Sequence, residues 1–169
     1  MKPLKVLLFV FSSVLALGSA RAANTIVSEG VIDAPVSAVW AAWTTSDGLR
    51  AWVAPHADID LRLDGLMRTN YNPQGALGDA GTIENRILAY EPERLFSIRV
   101  TKAPENFPFK AVIGEMWTVL YLEPTAEGKT RLRIAGLGFG AGEESQKMKA
   151  FFQQGNDYTL NMLQKHFKR

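Results

Sequence analysis

The sequence contains no cysteine and only two histidines among its 169 residues. The absence of cysteine excludes disulfides, thiolate metal sites and a lipid-modified cysteine. No HExxH spacing brings histidines together and no GxSxG motif offers a serine nucleophile, so neither metal hydrolysis nor serine catalysis has a sequence signature. We expect no metal and no cofactor.

The net charge is also small, because the sequence contains 19 basic and 17 acidic residues, which gives a formal net charge of +2. Lys2, Lys5 and Arg21 lie in the first 22 residues, which contain no acid. The remaining chain therefore has a formal net charge of −1. Neutralising phosphates requires an excess of lysine and arginine on one face, so we expect no nucleic-acid partner.

The first 22 residues have the pattern of a secretory signal peptide. A basic start is followed by an apolar run of about a dozen residues, short of the roughly 20 that a membrane span needs. Ala20-Arg21-Ala22 then supplies a small-x-small cleavage site. An uncleaved membrane anchor is the alternative. We predict export to a bacterial periplasm or secretion, with residues 23–169 forming one domain that has no membrane span of its own.

The mature chain predicts an α+β fold. A strand and two short helices occupy residues 27–52, with Asp33 as N-cap and Pro35 in the first helical turn. Alternating apolar residues then predict strands, the first of which turns Ile59, Leu61 and Leu63 inward. The apolar period becomes helical over 143–167. We therefore predict a curved antiparallel sheet of six to seven strands wrapped around a long C-terminal helix.

A set of short motifs links this order of elements to a known superfamily. The motifs are Ile32-Asp33-Ala34-Pro35 with Val39-Trp40, Leu49-Arg50-Ala51-Trp52, Gly81-Thr82-Ile83, Ile87-Leu88-Ala89-Tyr90-Glu91-Pro92, Leu95, Trp117-Thr118-Val119, Leu122-Glu123-Pro124, and Leu160, Leu163 and His166-Phe167. Together they resemble the helix-grip (SRPBCC) superfamily of START lipid-transfer domains, polyketide cyclases and birch-pollen-allergen-like proteins. Within it, the chain is most similar to the branch named after the activator of the heat-shock chaperone ATPase (AHSA-type).

The resemblance implies a ligand cavity between the sheet and the C-terminal helix. Polar residues within strand patterns and aromatic residues are its candidate lining, with outward ion pairs and ordinary core packing as the alternatives. The candidates are Arg68, Asn70, Tyr71, Glu84, Arg86, Glu115, Trp117, Phe152, Asn156 and Tyr158.

Glycines mark two further features. Gly155, in the middle of the terminal helix, indicates either close packing on the sheet or room for a ligand beside Asn156 and Asp157. The glycine-rich stretch 136–142 lacks the spacing of nucleotide-binding motifs, and we predict that it forms a mobile gate at the cavity mouth.

Three functions are compatible with this sequence. The favoured one is an exported protein that binds a small apolar or amphipathic molecule. The first alternative is a cyclase-, hydrolase- or isomerase-like enzyme that uses His56, Glu84 or Glu115 as a base. The second is a protein-interaction module of the chaperone-activator type, which the predicted signal peptide disfavours because it would separate the protein from a cytosolic chaperone.

Overall fold

The computed structural model describes residues 24–168, so the predicted signal peptide lies outside the described residues. Strand β1 (Ile26–Ile32) is followed by two short helices, α1 (Val36–Thr44) and α2 (Ser46–Trp52). A 3-10 turn (Ile113–Glu115) precedes the last two strands, and the long helix α3 (Glu143–His166) follows them. The other strands are β2 (His56–Ile59), β3 (Leu66–Asn70), β4 (Ile83–Glu91), β5 (Leu95–Lys102), β6 (Trp117–Pro124) and β7 (Thr130–Leu137).

The seven strands form one antiparallel sheet in the order β1-β7-β6-β5-β4-β3-β2. Strands β2 to β7 therefore pair in chain order, and β1 joins the far edge beside β7. Helix α3 lies against β1 and β7. This arrangement confirms the predicted α+β helix-grip fold, with seven strands and the two short helices after the first.

Helix α3 is 24 residues long and is held at two places by separate clusters of buried side chains. Leu160 and Leu163 join the larger cluster, which contains Ile32 and Phe96 and extends under α1 and α2. Met148 joins the smaller cluster near the start of the helix. The middle of α3 spans the interval between these clusters, and the cavity described below lies there.

The same helix is polar on its outer surface and has complementary charges at its ends. Glu143 and Glu144 lie in its first turn, and Lys165 and His166 lie in its last, which suits the helix dipole. No helix within residues 24–168 combines the length and the apolar composition that a bilayer crossing requires.

The predicted start of the first helix is wrong by two residues. Helix α1 begins at Val36 with Pro35 as its N-cap, and no side chain caps it. The Asp33 carboxylate instead lies 3.3 Å from Lys129 Nζ, in the turn before β7. An ion pair to a distant part of the chain has therefore taken the side chain that the local pattern assigned to capping.

The predicted inward alternation over residues 58–64 is also wrong in its second half. Strand β2 ends at Ile59, and Leu63 exposes 62% of its surface. The chain then turns at Asp64, whose φ is 60°, and at Gly65, where a Cβ would lie 2.0 Å from the Asp60 carbonyl oxygen. The Gly65 amide donates to the Arg62 carbonyl at 3.0 Å, so Leu63 lies inside this turn and not in a strand.

Candidate functional site

A cavity of about 590 Å³ lies between the sheet, the α1–α2 pair and α3. Among the described residues that line it there is no Asp, Glu, Lys, Arg or His. Seven of its lining residues are aromatic: Trp43, Trp52, Tyr71, Phe107, Phe151, Phe152 and Tyr158. The wall therefore favours an uncharged, largely apolar occupant.

The strands supply the sheet side of the cavity through their alternation. Met67 and Thr69 of β3, Ile83 and Asn85 of β4, and Val100 of β5 all line it. Side chains at odd and even positions of a strand point to opposite faces. The intervening residues of these strands consequently lie on the far face of the sheet.

Helix α3 supplies the opposite side through one helical stripe. Phe152, Gly155, Thr159 and Met162 recur at three- and four-residue spacing and line the cavity. A Cβ at Gly155 would have no neighbour within 4 Å among residues 24–168. The packing interpretation of this glycine is therefore wrong, and the missing side chain leaves open space beside the cavity.

Two sets of aromatic contacts border the cavity. In one set, the rings of Trp43 and Trp52 meet edge to face with centroids 4.8 Å apart, and Trp52 Nε1 donates to the Ala42 carbonyl at 3.1 Å. In the other set, the Phe107 ring from the loop after β5 lies 5.9 Å from that of Phe151 and 6.5 Å from that of Phe152 of α3. Both sets therefore present aromatic surface to an occupant of the cavity.

Two tyrosines with exposed rings lie at the mouth of the cavity. Tyr71 exposes 58% of its surface and Tyr158 exposes 66%. Desolvation by the surrounding protein nevertheless raises the pKa of the Tyr71 hydroxyl; a hydrogen bond from Thr69 opposes this increase and Tyr158 adds to it. Tyr71 therefore remains a neutral hydrogen-bond donor at physiological pH.

Asn85 is a polar lining residue that was not among the predicted site residues, as are Thr69 and Thr159. It is only 8% exposed, it lines the cavity, and its side chain makes no hydrogen bond within residues 24–168. A signal was present, because Asn85 lies midway between Ile83 and Ile87 and shares their face of the strand. The charged neighbours Glu84 and Arg86, which were predicted instead, lie on the opposite face of the strand.

Of the ten predicted site residues, the structure places Tyr71, Phe152 and Tyr158 on the cavity wall. Four others, Arg68, Glu84, Arg86 and Trp117, belong to the opposite face of the sheet. The three charged residues are ion-paired there: Arg68 with Asp58, Glu84 with Lys102 at 3.7 Å and Arg86 with Asp64 at 3.7 Å. The hydrogen bonds that the Arg68 guanidinium donates to Asp58 also raise the pKa of Arg68.

The far face holds its own shallow features. Arg68 and Arg86 line a groove of about 370 Å³ together with Asp58, Asp60 and Asp64. The Trp117 ring lies under the Arg99 guanidinium, whose Cζ is 5.5 Å from the ring centroid. The prediction that these residues line the cavity is therefore wrong, because strand alternation turns their side chains away from α3. The residues concerned are Arg68, Glu84, Arg86 and Trp117.

Asn70 is a structural residue that holds the loop after β3. Its Nδ2 donates to the Ala76 carbonyl at 2.9 Å and to Asp79 Oδ1 at 2.7 Å, and its Oδ1 accepts from the Asn72 amide at 3.0 Å. Hydrogen bonds from backbone amides, first that of Ala76, lower the pKa of Asp79. The Asn70 side chain is thereby fully engaged and is not available to a ligand.

Glu115 and Asn156 also lie away from the cavity. Glu115 ends the 3-10 turn rather than lying in a strand, and its carboxylate accepts from the Gly140 amide at 3.3 Å. Asn156 is 8% exposed but does not line the cavity, and its Nδ2 has no partner among the described residues. Its neighbour Asp157 is bonded to Ser28 of β1 rather than directed toward the cavity.

The predicted gate at residues 136–142 is wrong in position. None of these residues lines the cavity. Phe139 is buried in the smaller core cluster, and the Gly140 amide donates to Ser145 Oγ at 2.7 Å. The mouth is formed instead by Tyr71, Tyr158 and the loop after β5.

The proposed catalytic bases are likewise absent from the wall. His56 Nε2 lies 3.2 Å from the Pro73 carbonyl, outside the cavity, as do Glu84 and Glu115. Residues 24–168 contain no cluster of three or more His, Cys, Asp or Glu residues suited to a metal ion. The described lining of the cavity therefore offers hydrogen-bonding groups and aromatic surface, but no carboxylate or imidazole.

Solved structures with this fold are found in several bacteria. Protein MLL2253 from Mesorhizobium loti superposes with a TM-score of 0.67 at 20% identity, over 86% of this chain and 98% of that one. The Aha1 dimer from Colwellia psychrerythraea superposes with a TM-score of 0.62 at 18% identity, over 85% of this chain and 95% of that one. CalU16 from Micromonospora echinospora superposes with a TM-score of 0.61 at 23% identity, over 85% of this chain and 75% of that one.

These likenesses show a shared fold, and a search of curated proteins found no significant match. A family model provides the assignment and confirms the predicted resemblance, since it spans the two short helices, strands β2 to β7 and α3. The chain therefore belongs to the family described as Activator of Hsp90 ATPase homolog 1-like protein, whose model matches residues 33–168.

Proposed function

We propose that this protein is exported and binds an uncharged apolar or amphipathic small molecule between its sheet and α3. The observation on which this depends is the cavity of about 590 Å³ whose described lining contains no Asp, Glu, Lys, Arg or His. Ligand pockets for small molecules have volumes of about 300–1,000 Å³ with few polar groups. Burial of about 250 Å² of apolar ligand surface would contribute roughly 6 kcal/mol before the entropic cost of binding.

The position of Gly155 supports binding over simple imperfect packing. Glycine inside a helix costs about 1 kcal/mol relative to alanine. No neighbour would obstruct a Cβ at this position, so packing does not require glycine there. A ligand that occupies the space beside Gly155 would account for the presence of glycine despite this loss of helix stability.

The two alternative functions find less support. A cyclase-, hydrolase- or isomerase-like reaction based on His56, Glu84 or Glu115 lacks a base at the cavity wall. A protein-interaction role has the family description in its favour, but that description does not account for the cavity. We therefore retain binding as the main proposal.

The experiment is a fluorescence titration with N-phenyl-1-naphthylamine, an uncharged apolar probe, on the mature chain. Saturable enhancement is expected, and native mass spectrometry should show one probe per chain. Gly155→Leu should weaken binding at least about tenfold by filling the space. Gly142→Leu is the matched control, because Gly142 also has no neighbour within 4 Å but lies outside the cavity.

Failure of the wild-type chain to bind the probe would overturn the proposal, as would equal binding by the wild-type and Gly155→Leu chains. Retained folding of both variants is checked by circular dichroism.

Export is tested separately by fractionation of a bacterial host that expresses the full sequence. Cleavage after Ala22 should leave a periplasmic or secreted protein whose measured mass corresponds to residues 23–169. A cytoplasmic protein that retains residues 1–22 would contradict export without affecting the binding proposal.

A further inference from the structure

Asn85 combines burial with a side-chain amide that no residue of the described chain pairs. It is more than nine-tenths buried and lines the cavity, and its amide makes no hydrogen bond within residues 24–168. Neither amide atom is among the fully enclosed atoms that lack a partner, so the amide reaches the free space of the cavity. A ligand that filled this space without pairing the amide would leave it unsatisfied, at a cost of about 1–3 kcal/mol.

The neighbours of Asn85 explain why the protein itself does not provide that partner. Met67 on β3 and Val100 on β5 are its partners across the sheet. Both side chains line the cavity and neither offers a strong hydrogen-bonding group. The amide is therefore directed into the cavity from an apolar surround.

The backbone at Asn85 is also irregular. The pairing of β4 with β5 shifts register between Glu84 and Asn85, since Glu84 pairs with Lys102 and Asn85 with Val100. An extra residue, Thr101, lies between these partners. Such bulges re-aim side chains and occur frequently beside functional sites.

We infer that Asn85 selects ligands that have an uncharged carbonyl or hydroxyl group on an aromatic or similarly apolar skeleton. This inference rests on the proposed binding function and adds the ligand's chemical class. An apolar skeleton suits the aromatic walls, and its single polar group would exchange a hydrogen bond with the Asn85 amide. A carboxylate would enter without a cation to pair with it, because the described lining contains no Lys, Arg or His.

Three probes with one ring skeleton test this selection. Fluorene has no polar group, 9-fluorenone adds a carbonyl, and fluorene-9-carboxylate adds a charge. The mature wild-type chain should bind 9-fluorenone at least about tenfold more tightly than fluorene, because fluorene leaves the amide unpaired. It should also bind 9-fluorenone at least about tenfold more tightly than the carboxylate.

The variant Asn85→Leu should bind fluorene and 9-fluorenone within about twofold of each other. Asn156→Leu is the matched control, because Asn156 is equally buried and has an unpartnered amide nitrogen, yet lies outside the cavity. It should retain the wild-type preference. Thermal unfolding of both variants is measured first, and the comparison of the three probes on the wild-type chain does not depend on either variant.

Each outcome separates this inference from the proposed function. Equal binding of fluorene and 9-fluorenone by the wild-type chain, or tight binding of the carboxylate, would overturn the role of Asn85 while leaving cavity binding intact. Persistence of the preference in Asn85→Leu would overturn it as well. Failure of N-phenyl-1-naphthylamine and of all three fluorene probes to bind would overturn the proposed function itself.

Discussion

Ser28 on β1 and Asp157 on α3 are joined by a hydrogen bond of 2.5 Å from Ser28 Oγ to Asp157 Oδ1. Gln153 Nε2 donates to both groups, at 3.1 Å each. Ser28 is buried, whereas Asp157 lies at the surface. The contact thus fixes the side of α3 that faces the edge strand and leaves the stripe around Gly155 free to line the cavity.

Removing this bond should loosen the helix without altering ligand choice. We expect Ser28→Ala to lower the free energy of unfolding by about 1 kcal/mol, which is less than the roughly 1.5–3 kcal/mol of a bond to a charged group because Asp157 is exposed. Chemical denaturation measures the loss. Asn161→Ala, which removes a bond from Asn161 Nδ2 to the Asp157 carbonyl, is the local control and should have a smaller effect. An unchanged stability in Ser28→Ala would contradict the anchoring role.

The open space at Gly155 predicts an unusual combination of effects. Gly155→Ala should raise the free energy of unfolding by about 1 kcal/mol, because alanine is the better helix former and meets no obstacle. Thermal and urea unfolding give this value.

Gly138→Ala serves as the contrast for that measurement. Gly138 has a φ of 86°, and a Cβ there would lie 2.5 Å from the Glu115 carbonyl oxygen. This substitution should destabilise the fold by more than about 1 kcal/mol. If Gly155→Ala were equally destabilising, the space beside α3 would not exist in solution.

The loop after β3 should depend on pH through Asp79. Hydrogen bonds hold the pKa of its carboxyl below the ordinary value, so the ionised form stabilises the folded state. This contribution is complete above the unfolded pKa of about 3.9 and disappears as the pH falls through the lower folded pKa.

We therefore expect Asp79→Asn to be less stable than the wild-type chain at pH 7, with the difference shrinking as the pH falls below about 4. Urea unfolding at a series of pH values measures it. A difference that is independent of pH would show that the charge of Asp79 has no part in holding Asn70 and the loop.

Charged residues on the far face should be irrelevant to the cavity. Arg68→Met and Glu84→Gln should each change the affinity for 9-fluorenone by less than about twofold, or about 0.4 kcal/mol. Their ion pairs are at least partly exposed, so the loss of stability should also be small. A tenfold loss of affinity in either variant would require the ligand to contact the opposite face of the sheet.

Most of the fold could be predicted from the sequence because hydrophobic periodicity is a local signal. The two-residue period in β4 and β5 and the three- to four-residue period in α3 each reflect burial of one face. The errors occurred where a tertiary contact overrode the local pattern. Asp33 pairs with Lys129 instead of capping α1. Strand β2 ends at Ile59, and the chain turns at Asp64–Gly65, so the alternating residues after Ile59 do not form a strand.

The site was less accessible to sequence analysis because both faces of the sheet contain polar residues. Alternation places Glu84 and Arg86 on one face and Asn85 on the other, but it does not state which face meets α3. Among the aromatic candidates, Tyr71, Phe152 and Tyr158 lie on the cavity wall, whereas Trp117 lies on the opposite face of the sheet beside Arg99. Asn70 and Glu115 were misassigned because their partners lie in loops whose paths the pattern does not specify.

The central claim is that a ligand occupies the space between the sheet and α3, and methyl NMR on the 9-fluorenone complex tests it most directly. The methyl signals of Met67, Ile83, Val100 and Met162 should shift on titration and show intermolecular contacts with the probe, because these side chains line the cavity. Those of Val27, Val31 and Leu88, which are exposed elsewhere, should remain unchanged. Saturable shifts confined to the exposed group, with the four cavity signals unmoved, would contradict the account.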